Sequence, residues 1–205
     1  KRFILMSANG VKPDGTEYQR TKYLAEEYLK TTGLDYTIFR PSLIFGDPRG
    51  QDRPEFCTQL RDQLIRLPLP APLFYSGLLP NDAGKFEMSP VYVKDVCSIF
   101  VQSLSRKESI GQMYELGGPE NFSWKAIIKI IGKTLDKNKW TIPAPALGIK
   151  SIAVLMDRFS FFPITRDQIK MLVEGNTCDS KDTFEMFGVE PTFFDQKSLS
   201  YLLAD

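Results

Sequence analysis

The first forty residues leave little freedom of topology. Phe3-Ile4-Leu5-Met6 is a short, continuously apolar run, which suits a strand covered on both faces. Ala8 to Thr16 contains Asn9-Gly10 and Pro13-Asp14-Gly15 and is a loop with turns. From Glu17 to Thr32 the pattern is helical. Tyr18, Lys22, Ala25 and Leu29 fall on one stripe, Leu24 and Tyr28 widen its apolar face, and Gly33 stands where a helix stop is expected. Tyr36 to Arg40, rich in aromatic and β-branched residues, reads as a second strand. Strand, helix and strand in that order make a parallel βαβ unit, which needs helices on both faces of its sheet.

Beyond Gly46 the chain is rich in proline. A helix is expected over about 55–67, then an irregular stretch from Leu67 to Gly84, where Pro68, Pro70, Pro72 and Pro80 fall. Val93 to Leu104 has a helical pattern, with Asp95 in the first turn, where an anion complements the helix dipole. Met113 to Leu116 is a strand ended by Gly117-Gly118, and Trp124 to Leu135 is a helix capped by Ser123. Thr165-Arg166-Asp167-Gln168 fits a capping box opening a helix to about Glu174, and a last short helix ends at Phe187 before Gly188.

The available chemistry is narrow. There is no histidine, and the three cysteines, Cys57, Cys97 and Cys178, lie far apart with no CxxC pair. That removes histidine–cysteine zinc sites, serine–histidine triads and an imidazole base, and no metal site is expected. A reducing, cytoplasmic compartment is the natural setting. With a formal net charge of +1 and no basic run long enough to act as a tail, no nucleic-acid or other polyanionic partner is indicated. Acid–base work near neutral pH then falls to Tyr, Lys, Asp, Glu or Cys.

Tyr18 and Lys22 are four apart on the expected helix, which places both on one face, a turn apart. A tyrosine with its usual pKa of about 10 is a poor base; bringing it to neutrality takes about 4 kcal/mol of differential stabilisation, which a close ammonium in a partly desolvated cleft can supply. Ser7 ends the first strand, at the carboxyl edge where parallel sheets bind ligands, and its hydroxyl could bond the oxygen that Tyr18 protonates. Arg40-Pro41-Ser42-Leu43-Ile44-Phe45-Gly46 leaves the second strand at the same edge, with Pro41 forcing a rigid exit. Each feature also has a plain structural explanation: an amphipathic helix, a strand-ending turn and a strand-to-loop corner.

Ser7 in MSANG, Tyr18 and Lys22 in YQRTK, RPSLIFG at 40–46, PVYVKDV at 90–96 and YELGGPE at 114–120 run in order along most of the chain. Together they resemble the extended, atypical branch of the short-chain dehydrogenase/reductase superfamily, the NAD-dependent epimerase/dehydratase-like proteins. With FPITRDQIKMLVEGNT at 162–177, the run looks most like bacterial relatives of the complex I subunit called NDUFA-nine. The resemblance implies an α/β fold, the C-terminal part of a doubly wound parallel, Rossmann-like sheet (1–46 and about 91–118). A smaller, mostly helical substrate lobe would come from about 47–90 and 119–205. Tyr18 would be the general acid/base, and Lys22 would hold the cofactor ribose and lower the tyrosine pKa. Ser7 would orient the substrate oxygen, while Pro41, Ser42 and Ile44 would line the nicotinamide side. Asp95 matches an acidic position that braces the lobe.

The implied cofactor is NAD or NADP. The family's glycine-rich fingerprint lies on its first strand and helix, no G-x-G-x-x-G occurs in this chain, and Lys1 aligns near the fifth strand. The N-terminal half of the dinucleotide domain, with the pyrophosphate site, is therefore expected to lie outside this chain, as in a fragment. The implied activity is an NAD(P)-dependent oxidoreductase or epimerase acting on a small-molecule alcohol or ketone, of nucleotide-sugar or isoprenoid type. A dehydratase is disfavoured, because those relatives usually put an acidic residue beside the serine, where this chain has Ala8-Asn9. The alternative is a non-catalytic NAD(P)-binding subunit or assembly factor of a respiratory-type complex. Its partner protein or peripheral membrane contact would use the apolar segment from Ile142 to Pro163.

Overall fold

The computed structural model describes residues 1–50, 55–77, 79–145 and 166–204. In chain order its main elements begin with β1 (Arg2–Met6), α1 (Glu17–Thr31), β2 (Asp35–Pro41), α2 (Phe56–Leu60) and β3 (Ala71–Tyr75). There follow α3 (Val93–Ser105), β4 (Gln112–Leu116), α4 (Trp124–Thr134), β5 (Thr141–Pro145), α5 (Arg166–Glu174) and α6 (Lys181–Phe187). They fold as two units, the first from Lys1–Ile44, Ser89–Asn121 and Asn176–Phe194, the second from Phe45–Met88, Phe122–Gly175 and Asp195–Asp205.

The first unit holds the expected βαβ crossover. β2 lies between β1 and β4, parallel to both, with Met6 opposite Phe39 and Pro41 opposite Leu116. Side chains alternate across such a sheet, so its two faces carry different residues. On one face Phe39 and Leu116 pack with Val96 and Ile99 of α3 and Phe184 and Phe187 of α6. The Phe39 ring centroid lies 4.8 Å from Phe100, 5.6 Å from Tyr114 and 5.8 Å from Phe187. On the opposite face Arg40 meets Glu26 of α1, its Nε donating to Oε1 at 2.9 Å and its Nη2 to Oε2 at 2.5 Å. The sheet therefore has helices on both sides, as a parallel sheet requires.

α1 starts where its cap dictates. The Thr16 hydroxyl accepts from the Gln19 backbone, and the Gln19 side chain returns to the Thr16 N–H. It stops at Gly33, whose φ of +70° suits a residue without a Cβ. Its buried stripe differs from the expected one: Gln19, Glu26 and Leu29 are buried, while Leu24 and Tyr28 are exposed. Two polar residues displace apolar ones inward because each has a partner there, Gln19 in the cap and Glu26 on Arg40.

Asp95 accepts from the backbone N–H and the hydroxyl of Thr192, at 2.7 and 3.0 Å, tying α3 to the segment after α6. The Gly117-Gly118 turn that ends β4 is sterically demanding, because a Cβ on Gly118 would overlap the Pro90 carbonyl oxygen. Gly118→Ala should destabilise the protein by about 3 kcal/mol, in the range of overpacking costs, read as a shifted denaturation midpoint. A midpoint equal to the wild type would mean that this turn yields.

In the second unit the prolines misled. Ala71 to Tyr75, expected to be irregular, is β3, paired in parallel with β5 in the register Ala71 to Thr141. A two-stranded sheet leaves each strand an outer edge, where a missing proline N–H costs nothing, and burial of Ala71, Leu73 and Phe74 supplies the drive. The Pro72 carbonyl accepts from the indole of buried Trp124 at 2.8 Å, and rings of Phe56, Phe74 and Phe86 surround that indole. The helix expected over 55–67 appears as α2, capped by the Glu55 carboxylate, running into a π-helical turn at Arg61–Ile65. α4 follows its Ser123 cap, and α6 ends at Gly188 with φ +65°. α5 is present, but Thr165 and most of the apolar segment from Ile142 to Pro163 lie outside the described residues. Among the described residues no helix is long and apolar enough to cross a membrane.

Candidate active site

All the site residues expected from the sequence fall in the first unit, at the carboxyl ends of β1 and β2 and on the first turns of α1. Ser7 continues the β1 ladder by one residue, its N–H donating to the Phe39 carbonyl at 2.8 Å. Only 3% of Ser7 is exposed, and its hydroxyl has no hydrogen-bond partner among the described residues. Lys22 reaches the same strand end, its Nζ donating to the Met6 carbonyl at 3.1 Å. The same ammonium stands 5.8 Å from the centre of the Tyr18 ring, and Tyr18 is 47% exposed. The i,i+4 spacing thus brings phenol and ammonium together, and Lys22 joins both to the residue preceding Ser7.

The electrostatics differ from expectation in one respect. Lys22 lies over the ring, and burial pushes the Tyr18 phenol above its ordinary pKa. In this arrangement burial is what moves the phenol, and it stays protonated at neutral pH.

The second loop is more committed. Pro41 ends β2, and its carbonyl accepts from Asn9 N–H at 2.9 Å, joining the two strand ends. Ser42 is buried; its N–H donates to Leu116 O at 2.8 Å and its hydroxyl to Asn176 O at 2.6 Å. Ile44 packs against the Phe39 core. These three can form a wall of fixed shape, but the Ser42 hydroxyl is already engaged.

Two contributors escaped sequence reasoning. Glu26 stands one turn beyond Lys22 and fixes the rotation of α1 through Arg40, and Asn9 donates its side-chain amide to Thr177 O at 3.1 Å. The repeat Tyr18, Lys22, Glu26 at intervals of four was a usable signal for the first; nothing local announced the second. A cavity of about 950 Å3 elsewhere in this unit is lined by Gly117, Gly118, Cys178 and Ser180 among others, and by none of the expected residues. Burial pushes its Cys178 thiol up to about 11, and its Ser180 hydroxyl is engaged with Gly117 N and Glu115 O. It offers no activated group.

No protein-family model matches the chain. Among curated proteins it is 24% identical over 204 residues to the mitochondrial NADH-ubiquinone oxidoreductase 40 kDa subunit of Neurospora crassa, covering 98% of this chain and 50% of that one. It is 26% identical over 205 residues to the mitochondrial NADH dehydrogenase [ubiquinone] 1 alpha subcomplex subunit 9 of Rattus norvegicus, covering 98% and 51%. Among solved structures, the UDP-glucose 4-epimerase of Thermotoga maritima with UDP-glucose matches with a TM-score of 0.67 at 17% identity, over 99% of this chain and 62% of that one. The UDP-glucose 4-epimerase of Thermus thermophilus, in complex with NAD, gives 0.66 at 17% identity, over 99% and 63%.

The chain is similar over nearly its whole length to these NADH-ubiquinone oxidoreductase subunits, and its fold is Rossmann-like. It spans about half the length of the curated relatives it matches. Both of those relatives are mitochondrial, so the cytoplasmic setting expected from cysteine usage finds no support among them. The three cysteines are free.

Proposed function

We propose that this chain supplies the reactive end of an NAD(P)-dependent oxidoreductase or epimerase of the short-chain dehydrogenase type. The observation that carries the proposal is the buried, unpartnered Ser7 hydroxyl at a strand end that Lys22 also reaches. A buried polar group without a partner costs about 1–3 kcal/mol, which a substrate oxygen would relieve. The nicotinamide end of a dinucleotide suits these residues: Lys22 and Tyr18 would hold the ribose hydroxyls, and Pro41, Ser42 and Ile44 would wall the nicotinamide side. The pyrophosphate finds no glycine-rich cradle in this sequence.

When bound, the nicotinamide supplies or accepts the hydride. The chain's own residues handle the proton. Ser7 donates a hydrogen bond to the substrate oxygen and orients it. Tyr18, already protonated at neutral pH and kept so by burial, gives that oxygen a proton as a ketone is reduced. Lys22, released from the Met6 carbonyl, then stabilises the phenolate left behind. The second unit is the proposed substrate lobe, and the substrate a small-molecule alcohol or ketone.

A second reading is favoured by the curated relatives, which are subunits of NADH-ubiquinone oxidoreductase. In it the protein is a non-catalytic NAD(P)-binding subunit of a respiratory-type complex, and Lys22 stays on Met6. Full-length protein tested for NAD(P)H consumption against a panel of ketones and nucleotide sugars, beside a pull-down of membrane proteins, separates the two. Turnover supports the first reading; cofactor binding without turnover, together with a stable membrane-protein partner, overturns it in favour of the second.

A further inference from the structure

Lysines that look scattered in the sequence gather on the outer side of α4 and just beyond its end. Residues 124–140 hold five lysines and one aspartate. Lys125, Lys129 and Lys133 occupy successive i,i+4 positions of α4, about 6 Å apart along its axis. All three are exposed, while Trp124, Ile127, Ile128 and Ile131 are buried on the other side. Lys137, just past the helix, is also exposed. None of these four ammonium groups meets a carboxylate among the described residues.

Beside the end of α4 lies a groove of about 450 Å3 whose lining includes Leu69, Lys137, Lys139 and Trp140. Lys139 is tied down, its Nζ donating to Leu67 O at 2.5 Å. Around it stand three large apolar side chains in water: Trp140 at 79% exposure, Leu69 at 58% and Ile142 at 50%. The Trp140 backbone is fixed, its carbonyl accepting from Ala71 N–H at 2.7 Å, and Ile142 follows two residues on, the same-side spacing of an extended strand. This largely exposed indole shares its groove with Lys137, whose ammonium meets no carboxylate among the described residues.

We infer that this face docks on an anionic phospholipid bilayer. The lysines meet headgroup phosphates, their stems lying along the surface, and Trp140, Leu69 and Ile142 enter the interfacial layer. Indoles settle at headgroup level because the ring is apolar and its N–H is polar. Lysines on one side with exposed tryptophan and aliphatic groups nearby are the composition of an element lying in that layer. A protein partner fits less well, since lysine is depleted and arginine enriched in protein interfaces. The free cations of this face are lysines, and Arg66 at the groove pairs with Asp62.

The two tryptophans make the test direct, because Trp124 is buried and only Trp140 can change its surroundings at the surface. The full chain is mixed with vesicles of phosphatidylcholine alone, with vesicles containing phosphatidylglycerol, and with soluble heparin. It should co-sediment with the anionic vesicles only, in a salt-sensitive way, with a blue shift in emission that Trp140→Phe removes. Each surface lysine contributes about fivefold, so the triple variant Lys129→Gln/Lys133→Gln/Lys137→Gln should lose about 100-fold in partitioning. A thermal melt matching the wild type establishes that this variant is folded. Equal binding to neutral vesicles, full binding by the folded triple variant, or binding to heparin without binding to anionic vesicles overturns the inference.

Discussion

Tyr18→Phe should lower turnover by about 100-fold or more on any ketone or alcohol the full-length protein converts, the usual contribution of a positioned acid or base. Cofactor affinity should fall by about tenfold at most, the worth of one hydrogen bond, because Lys22 still holds the ribose. The substitution removes one oxygen and leaves the half-exposed ring in place beneath the Lys22 ammonium, 5.8 Å from its centre. Helix α1 keeps its cap, because Thr16 and Gln19 make it. What disappears is the phenolic proton of the residue paired with Lys22, in a chain with no histidine to replace it. Steady-state rates of the two proteins, with NAD(P)H binding measured separately, give the answer. Unchanged turnover would remove Tyr18 from the mechanism.

Arg40→Leu should be the most damaging single change to stability outside the hydrophobic core. The Glu26 carboxylate is wholly buried, and Arg40 is its bidentate partner. Removing the cation strands a buried anion, at a cost of about 3–5 kcal/mol. For a protein of this size that lowers the melting temperature by about 10 °C. Replacing both partners with apolar residues, as in Glu26→Leu/Arg40→Met, should recover most of the loss, because no charge is then left unpaired. Glu26 lies one helical turn beyond Lys22, so the single variant should also weaken cofactor binding while the protein is still folded. Thermal unfolding followed by circular dichroism checks the first effect. A melting point equal to the wild type would show that Glu26 finds another partner.

Much of the first unit was legible in the sequence because its signals are local. An apolar run, a capping box, a glycine stop and a second apolar run define β1, α1 and β2 without reference to the rest of the chain. The spacing of Tyr18 and Lys22 was legible for the same reason. What escaped depends on partners far away in sequence. Glu26 and Gln19 are buried through contacts that helical periodicity cannot register, so of the stripe Tyr18, Lys22, Ala25 and Leu29, widened by Leu24 and Tyr28, only Leu29 is buried. β3 was hidden by Pro70 and Pro72, whose cost vanishes only because its partner strand, β5, lies about seventy residues downstream. The lysine face was hidden in the opposite way: a count along the chain shows spaced charges, and only the helix brings them to one side.

The central claim is that the strand end of Ser7, with Tyr18 and Lys22 beside it on α1, receives the reactive end of a nicotinamide dinucleotide. The most direct measurement is a fluorescence titration of full-length protein and its Lys22→Met variant with NADH and NADPH. Saturable binding by the wild type, weakened about tenfold or more in the variant by loss of the ammonium, is the expected result. Equal affinity in the two proteins, or no binding in either, would contradict it.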